Sequence, residues 1–465
     1  MVNSNIDTKL REISSTFNLW KTRGLTLGGR ICLTKVFGIP KLNLILQVLS
    51  IPEECIKRIE QILYNFVWKG KTDKVKRKVL ISNYDKGGLK MLDIRSIIKK
   101  FQLCWIQRYF QPNESNWKNI FDEYLRPFGG LGLLVHCNYD LEEIKKETNS
   151  FLTAVLETWK HFYCKFQKPS QNFIWNNQNV KIGNKTIYYS QFLQAGMWYI
   201  SDLFNDTGEP IAFQIWENRG VEKKHFFKWI GIISCLRSKE IHQLEKPTPT
   251  LSFQLKGKLK HLSQIASREF YEFLLSEISE PGPSNKTKME QTLGPLDWKE
   301  IFMLPRKVST DPKLHELQFK INHNILATNS LLYRCKIKNS DICDICHLDK
   351  ENIQHLFWDC LTSKNLFLKF HTWWIKMTKL TDHYQQITKR TAIFGLWGYK
   401  PGIILYNHFL LLIKQYIWKN KAGTIHFDTL LCIFRNTRAI ESYIAKKKGK
   451  TKNFLDKWQC IQGNI

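Results

Sequence analysis

Four residues of metal-ligating type lie close together towards the C-terminal end of the chain. Cys343, Cys346, His355 and Cys360, in CDICHLDKENIQHLFWDC, form a Cys-x2-Cys-x8-His-x4-Cys array. Tetrahedral zinc takes four sulfur or nitrogen ligands, usually from a tight Cys-x2-Cys turn and a second pair three to five residues apart. The array therefore predicts a zinc module at 343–360. No other feature constrains the fold as much, because metal binding adds folding free energy on the order of 10 kcal/mol to a segment with a thin core of its own. Four protein ligands leave no position for a catalytic water, so the expected zinc is structural. His347 is an alternative ligand, and the spacer before His355 is too long for a retroviral zinc knuckle.

Elsewhere the dominant period is helical. In SIPEECIKRIEQILYNFVWKGK, Ser50 and Glu53 stand at capping-box spacing, Pro52 falls in the first turn, and Cys55, Ile56, Ile59, Ile62, Leu63, Phe66 and Val67 repeat at i, i+3, i+4, i+7. Upstream, LTLGGRICLTKVFGIPKLNLILQVL reads as a helix entered at Gly28 and Gly29 and kinked or ended by Pro40. Another helix follows the Gly87-Gly88 break. In NVKIGNKTIYY apolar residues alternate around Gly183-Asn184, which predicts a short hairpin. The glycines of PFGGLGLL near 130 suggest a domain edge; EKPTPTL at 245–251 reads as a loop and SEPGPSNKTK at 279–288 as a linker. The expected architecture is a mainly α, multi-domain chain: a basic helical segment 1–125, a helical linking region 126–278 with the β hairpin, a linker 279–290, and a helical domain 291–465 carrying the zinc module.

Charge narrows the partners. Lys and Arg number 70 against 41 Asp and Glu, a formal charge of +29 in 465 residues, which favours a polyanion and above all nucleic acid. Basic residues crowd two stretches, Lys21, Arg23, Arg30 and Lys35, then Lys74, Lys76, Arg77 and Lys78, and a third run, KKKGKTK, lies at 446–452. The longest apolar run, IILYNHFLLLIKQYIW, is broken by Asn407, His408 and Lys414, so neither a spanning helix nor a membrane partner is expected. The N-terminal MVNSNIDTKLREISS lacks the apolar core of a secretory signal, and the other cysteines are scattered singly. Both point to a reducing intracellular location, nuclear and/or cytoplasmic.

Catalytic motifs are sparse. The chain has no Asp-Asp pair of the kind that bridges two metal ions in polymerases. Its acidic doublets, Glu53-Glu54 and Glu142-Glu143, sit in Lys-containing helical text. Two Gly-Lys-Thr triplets lack the distal glycine of a phosphate-binding loop, since Asn65 and Ile444 stand there. No GxSxG or HExxH is present, and isolated histidines such as His225, His323 and His408 read as core or surface residues. No small-molecule substrate is expected.

Six stretches carry a resemblance: WKTRGLTLGGRICLTKVFGIPKL, IEQILYNFVWKGK, KVLISNYDKGGLKMLDI, FIWNNQNVKIGNKTIYYSQFLQAGMWYISDLFNDTGE, DPKLHELQFKINHNILATNSLL and the cysteine segment. In this order, across nearly the whole chain, they resemble the C-terminal half of the reverse transcriptase protein of LINE-type (non-LTR) retrotransposons. By that resemblance the first block is a thumb tracking the template–primer duplex, the middle is a linking region, and Cys343, Cys346, His355 and Cys360 match the family's CCHC in a domain implicated in binding element RNA. The basic residues of 21–35 and 74–78 match only as a general basic surface. The family's palm signature, aromatic-x-Asp-Asp, is missing, as are the fingers and the endonuclease, so its catalytic carboxylates have no counterpart here. The resemblance implies a nucleic-acid-binding fragment that binds element RNA and/or RNA–DNA hybrid without catalysis of its own. Two alternatives stand beside it: one piece of an active RNA-directed DNA polymerase whose catalytic part is encoded upstream, and a zinc-stabilised protein-interaction scaffold.

Overall fold

The computed structural model describes residues 2–147, 149–237, 251–278, 286–378, 386–398 and 401–461. It is mainly α, 65% helical, with two small two-stranded sheets. The loop expected at 245–251 and the first part of the linker at 279–288 lie mostly outside the described residues; the helix Lys286–Leu293 takes up the rest of that linker.

Packing groups the chain into two units, Met1–Lys9 with Leu42–Arg58 and Asp93–Glu277, and Leu10–Lys41 with Ile59–Leu92 and Ile278–Ile465. The segment 1–125 thus contributes to both. In the first unit, the helices Ile94–Tyr109, Ser150–Phe166 and Ser267–Ser276 pack together. Their core centres on the fully buried Trp159 and Phe162, and a neighbouring core forms around Trp175 and Trp216. Gly129 and Gly130, expected at a domain edge, lie inside this unit. Their left-handed backbone (φ 113° and 58°) opens the helix Leu131–His136, whose Leu133 and Leu134 are fully buried. A Cβ on Gly132 would meet the Phe173 ring at 2.4 Å, so glycine here serves close approach rather than a chain break.

The predicted hairpin forms between Lys181–Ile182 and Lys185–Thr186. Its positive φ falls on Gly183 (65°), the first turn residue, as in a II′ turn. A second hairpin, Ser252–Leu255 with Lys258–His261, had no counterpart in the sequence reading. Its signal was there: Phe253 and Leu255 alternate before Lys256-Gly257, both of which take positive φ (50° and 76°), a I′ turn.

The second unit is built around the helix Pro401–Lys419, which is apolar on nearly all sides and therefore buried. The helices Trp298–Val308, Pro312–Asn322, Leu361–Thr378, Phe427–Lys447 and Thr451–Trp458 contact it. Nearer the N-terminus, Gly87 and Gly88 are again close-packing residues. A Cβ on Gly88 would lie 1.9 Å from the Ser82 carbonyl oxygen, and one on Gly87 would lie 2.7 Å from the Phe302 ring. The helix Glu53–Val67 buries every predicted core position except Ile62, which is half-buried.

Pro40 does not stop the helical run but falls where its regular form is lost. The helix Leu27–Leu33 widens into a π turn at Thr34–Gly38, tightens into a 3-10 turn at Ile39–Leu42, and resumes at Asn43–Val48. The 22 residues of Leu27–Val48 are long and apolar enough, by length and composition alone, to cross a membrane; the sequence reading had weighed only the run near 403–418. Arg30 is nevertheless buried inside this segment, its guanidinium spent on two backbone carbonyls.

Candidate metal centre

Cys343, Cys346, His355 and Cys360 converge, their ligand atoms all within 4.8 Å of one another. Two local structures bring them there. The first is the Cys343–His347 turn. Here the His347 N–H donates to the Cys343 carbonyl at 3.0 Å, and the backbone N–H groups of Cys346 and Ile345 point at the Cys343 sulfur. The second is a π turn at His355–Asp359, in which the Cys360 N–H donates to the His355 carbonyl at 2.9 Å. A π turn is rare and recurs at functional sites; its wider pitch brings residues five apart onto one side. Cys346 Sγ and His355 Nε2 are 3.3 Å apart.

Cys343, His355 and Cys360 are buried, and Cys346 is half-buried. Cys360 stands at the entry of the helix Leu361–Thr378, with the Ser363 and Thr362 N–H groups directed at its sulfur. The thiol of Cys343, sharing its proton, is the largest influence, and with these N–H groups it outweighs burial and lowers Cys360 below the ordinary thiol value. Cys343 is raised correspondingly. A helix N-terminus favours a thiolate in this way. Three sulfurs and one imidazole, buried, convergent and already met by N–H donors, can hold a metal ion. His347 is not among them; it is exposed at the end of the turn, with a left-handed backbone (φ 56°).

A polar network supports the ligand loop. Glu351 is fully buried and accepts from the Asn329 N–H (2.9 Å), Lys421 Nζ (2.8 Å) and the Asp344 N–H (3.3 Å). The Asn329 side chain donates to the Ile342 carbonyl at 2.6 Å and to Asp344 Oδ1 at 2.8 Å. The Cys343 N–H donates to the Asp349 carbonyl at 2.8 Å. Asn329 and Lys421 lie far from the array in sequence, and no local pattern marked either of them.

The basic residues divide by role. Lys21, Arg23, Lys74, Lys76 and Lys78 are exposed, and the Arg23 guanidinium lies 4.7 Å from the Trp20 ring centre. Arg30 is 7% exposed and donates to the Val67 and Leu25 carbonyls, each at 2.6 Å, so it cannot reach a phosphate. Arg77 is held by Asp73 (2.9 Å) and Glu60 (3.1 Å) and stacks over Tyr64. Lys35 is half-buried, and burial lowers its ammonium, with Lys90 and Arg306 as cationic neighbours. Those two the sequence reading did not single out. His323 and His408 are core residues, held low by burial, and His323 bonds the Gly87 carbonyl at 2.8 Å. No protein-family model matches the chain, and no curated protein is similar to it.

Proposed function

We propose that the chain is a nucleic-acid-binding protein with a structural zinc, akin to the C-terminal part of a LINE-type reverse transcriptase protein, and that it binds RNA or RNA–DNA hybrid. The observation that carries this reading is the convergence of Cys343, Cys346, His355 and Cys360 in a chain of net charge +29. A thiolate-rich set of four suits zinc over magnesium or calcium, which prefer oxygen. When bound, zinc would cross-link the 343–347 turn to the start of the helix Leu361–Thr378 and leave no position for a reacting water. The excess of cations supplies attraction to phosphate, and the resemblance in six ordered sequence blocks supplies the kind of nucleic acid.

The test is binding of structured RNA and of RNA–DNA hybrid to the purified, metal-loaded chain over a range of salt. Counterion release makes the logarithm of affinity fall linearly with that of salt concentration, by about 0.9 per phosphate contacted on a duplex. A flat dependence, or no binding at low salt, defeats the reading.

A further inference from the structure

The helix Phe226–Arg237, FFKWIGIISCLR, carries one charge, Lys228, before its last residue. A helix so apolar belongs in a core or against lipid. Pro401–Lys419 meets that rule by being buried. Phe226–Arg237 meets it on one side only. Its Ile232, Ile233 and Leu236 are buried in the core around Trp216, whereas Phe227 is 81% exposed, Ile230 42% and Phe226 38%. The exposed side continues onto the hairpin Lys181–Ile182 with Lys185–Thr186. A Cβ on Gly231, one turn after Phe227, would lie 3.3 Å from Ile182 Cδ1, and Ile182 is 39% exposed. Large apolar side chains from two elements thus make one solvent-facing patch.

The patch is held in place from several sides. The 3-10 turn Lys223–His225 leads into the helix; the His225 N–H donates to the Glu222 carbonyl at 3.0 Å, and its ring is bonded to Gln191 Nε2 at 3.2 Å. Phe226 packs on the Phe213 and Trp229 rings, with centres 5.2 and 5.8 Å away, and the Phe227 ring lies 5.9 Å from that of Phe226. Further along, the Cys235 thiol donates to the Lys181 carbonyl at 2.8 Å and ties the helix to the hairpin. The rim is cationic. Lys185, Lys223, Lys224 and Lys228 are exposed, and Lys185 stands opposite Ile182 in the hairpin register, so the two side chains share a face. Among the described residues only Lys224 of these four is paired with a carboxylate, Glu222 at 2.8 Å.

Exposed rings and aliphatic side chains rimmed by lysine suit a surface lying in a lipid headgroup layer. There the apolar groups enter the acyl boundary and the ammonium groups stay with anionic headgroups. A protein partner matches this rim poorly, since protein–protein interfaces are depleted of lysine and enriched in arginine. A second copy of the chain would set lysines against lysines. We propose that this face of the helix Phe226–Arg237 docks on an anionic lipid surface, with Phe227, Ile230 and Ile182 inserted. The sequence reading expected no membrane partner because the longest apolar run cannot span; a face that lies in the headgroup layer has no need to. The proposal uses none of the residues on which the nucleic-acid reading stands.

Co-sedimentation of the full chain with vesicles of mixed phosphatidylserine and phosphatidylcholine tests it, with RNA binding measured alongside. The wild-type chain is expected to bind the vesicles and to keep part of that binding at about 0.5 M salt, where charges are screened within ~4 Å and apolar insertion is not. Phe227→Ser/Ile230→Ser keeps every charge and is expected to bind ~30-fold more weakly and to lose the salt-resistant part, with RNA binding unchanged. Lys223→Gln/Lys224→Gln/Lys228→Gln removes no apolar packing and is expected to weaken binding about 100-fold at low salt. Unchanged melting temperatures show that the variants fold. A wild-type chain that leaves the vesicles unbound overturns the proposal and leaves the nucleic-acid reading standing. So does an apolar variant that binds as tightly and as salt-resistantly as the wild type, or a lysine variant with undiminished binding. An apolar variant that loses RNA binding and keeps vesicle binding assigns the face to nucleic acid and overturns the proposal.

Discussion

Two buried charges show what individual residues do in this fold. Glu351 is fully buried beside Lys421, at 2.8 Å, and it also holds the ligand loop through the Asp344 N–H. Without Glu351, Lys421 keeps Asp344 at 3.4 Å, but the Asn329 and Asp344 N–H groups lose their acceptor, and each buried donor left unmade typically costs about 1–3 kcal/mol. Glu351→Ala is therefore expected to lower stability by about 3 kcal/mol and to weaken metal affinity ~10-fold or more, measured by urea unfolding and by competition with a chelator. Lys414 was legible only as a polar break in an apolar run. In the structure it is 1% exposed at the centre of the second unit, donating to Gln318 Oε1 at 2.5 Å and to the Ile393 carbonyl at 2.8 Å. Burial lowers its ammonium to about 7. Between that value and the ordinary lysine value near 10.4, the unfolded chain holds a proton that the folded chain does not, so this group makes stability rise with pH, by about 1.4 kcal/mol per unit. The difference in unfolding free energy between the wild-type chain and Lys414→Met is expected to grow in the wild-type chain's favour from about pH 7 to 10. Parallel curves would mean that the buried amine keeps its charge.

Among the elements, those with a strong local period were legible. The helix Glu53–Val67 and the hairpin around Gly183-Asn184 follow from spacing and turn chemistry alone, because each is stabilised by contacts a few residues apart. Glycines were harder to read. Gly88 and Gly132 looked like breakers, but their lack of a side chain admits the Ser82 carbonyl, six residues upstream, and the Phe173 ring, which comes from elsewhere in the fold. Pro40 was expected to kink or end its helix, and the regular helix does give way there to a π turn and then a 3-10 turn before it resumes. If the candidate metal centre is filled, the loop 343–360 is the element that gains most from an external agent. The π turn anchors Leu356 and Phe357 in the apolar core, whereas the turn 343–347 brings only Ile345 to it, so chelation or Cys343→Ser is expected to remove one bound metal equivalent and to lower the melting temperature of the chain. Metal analysis and calorimetry on the full chain check this; an unchanged transition after chelation would show that the polar network around Glu351 suffices.

Across the whole molecule, a net charge of +29 conceals two populations of cations. Arg30 and Arg77 are structural, bound to carbonyls or carboxylates, whereas Lys74, Lys76 and Lys78 face solvent. Neutralising those three lysines is expected to leave the melting temperature unchanged and to reduce the salt slope of nucleic-acid binding by up to about 2.7. Arg30→Ala is expected instead to destabilise by about 2–4 kcal/mol, with the slope little changed. Thermal melts and binding isotherms on both variants separate the roles. By itself the sequence determined the helical class, the four residues that converge at the candidate metal centre and the sign of the net charge, since periodicity, ligand spacing and charge are all written locally. Only the tertiary structure decided which cations are free, that Glu351 and Lys421 brace the metal loop, and that Ile182 joins Phe227 and Ile230 on one exposed face. Those facts depend on burial and on contacts between residues far apart in sequence, and no local window contains them.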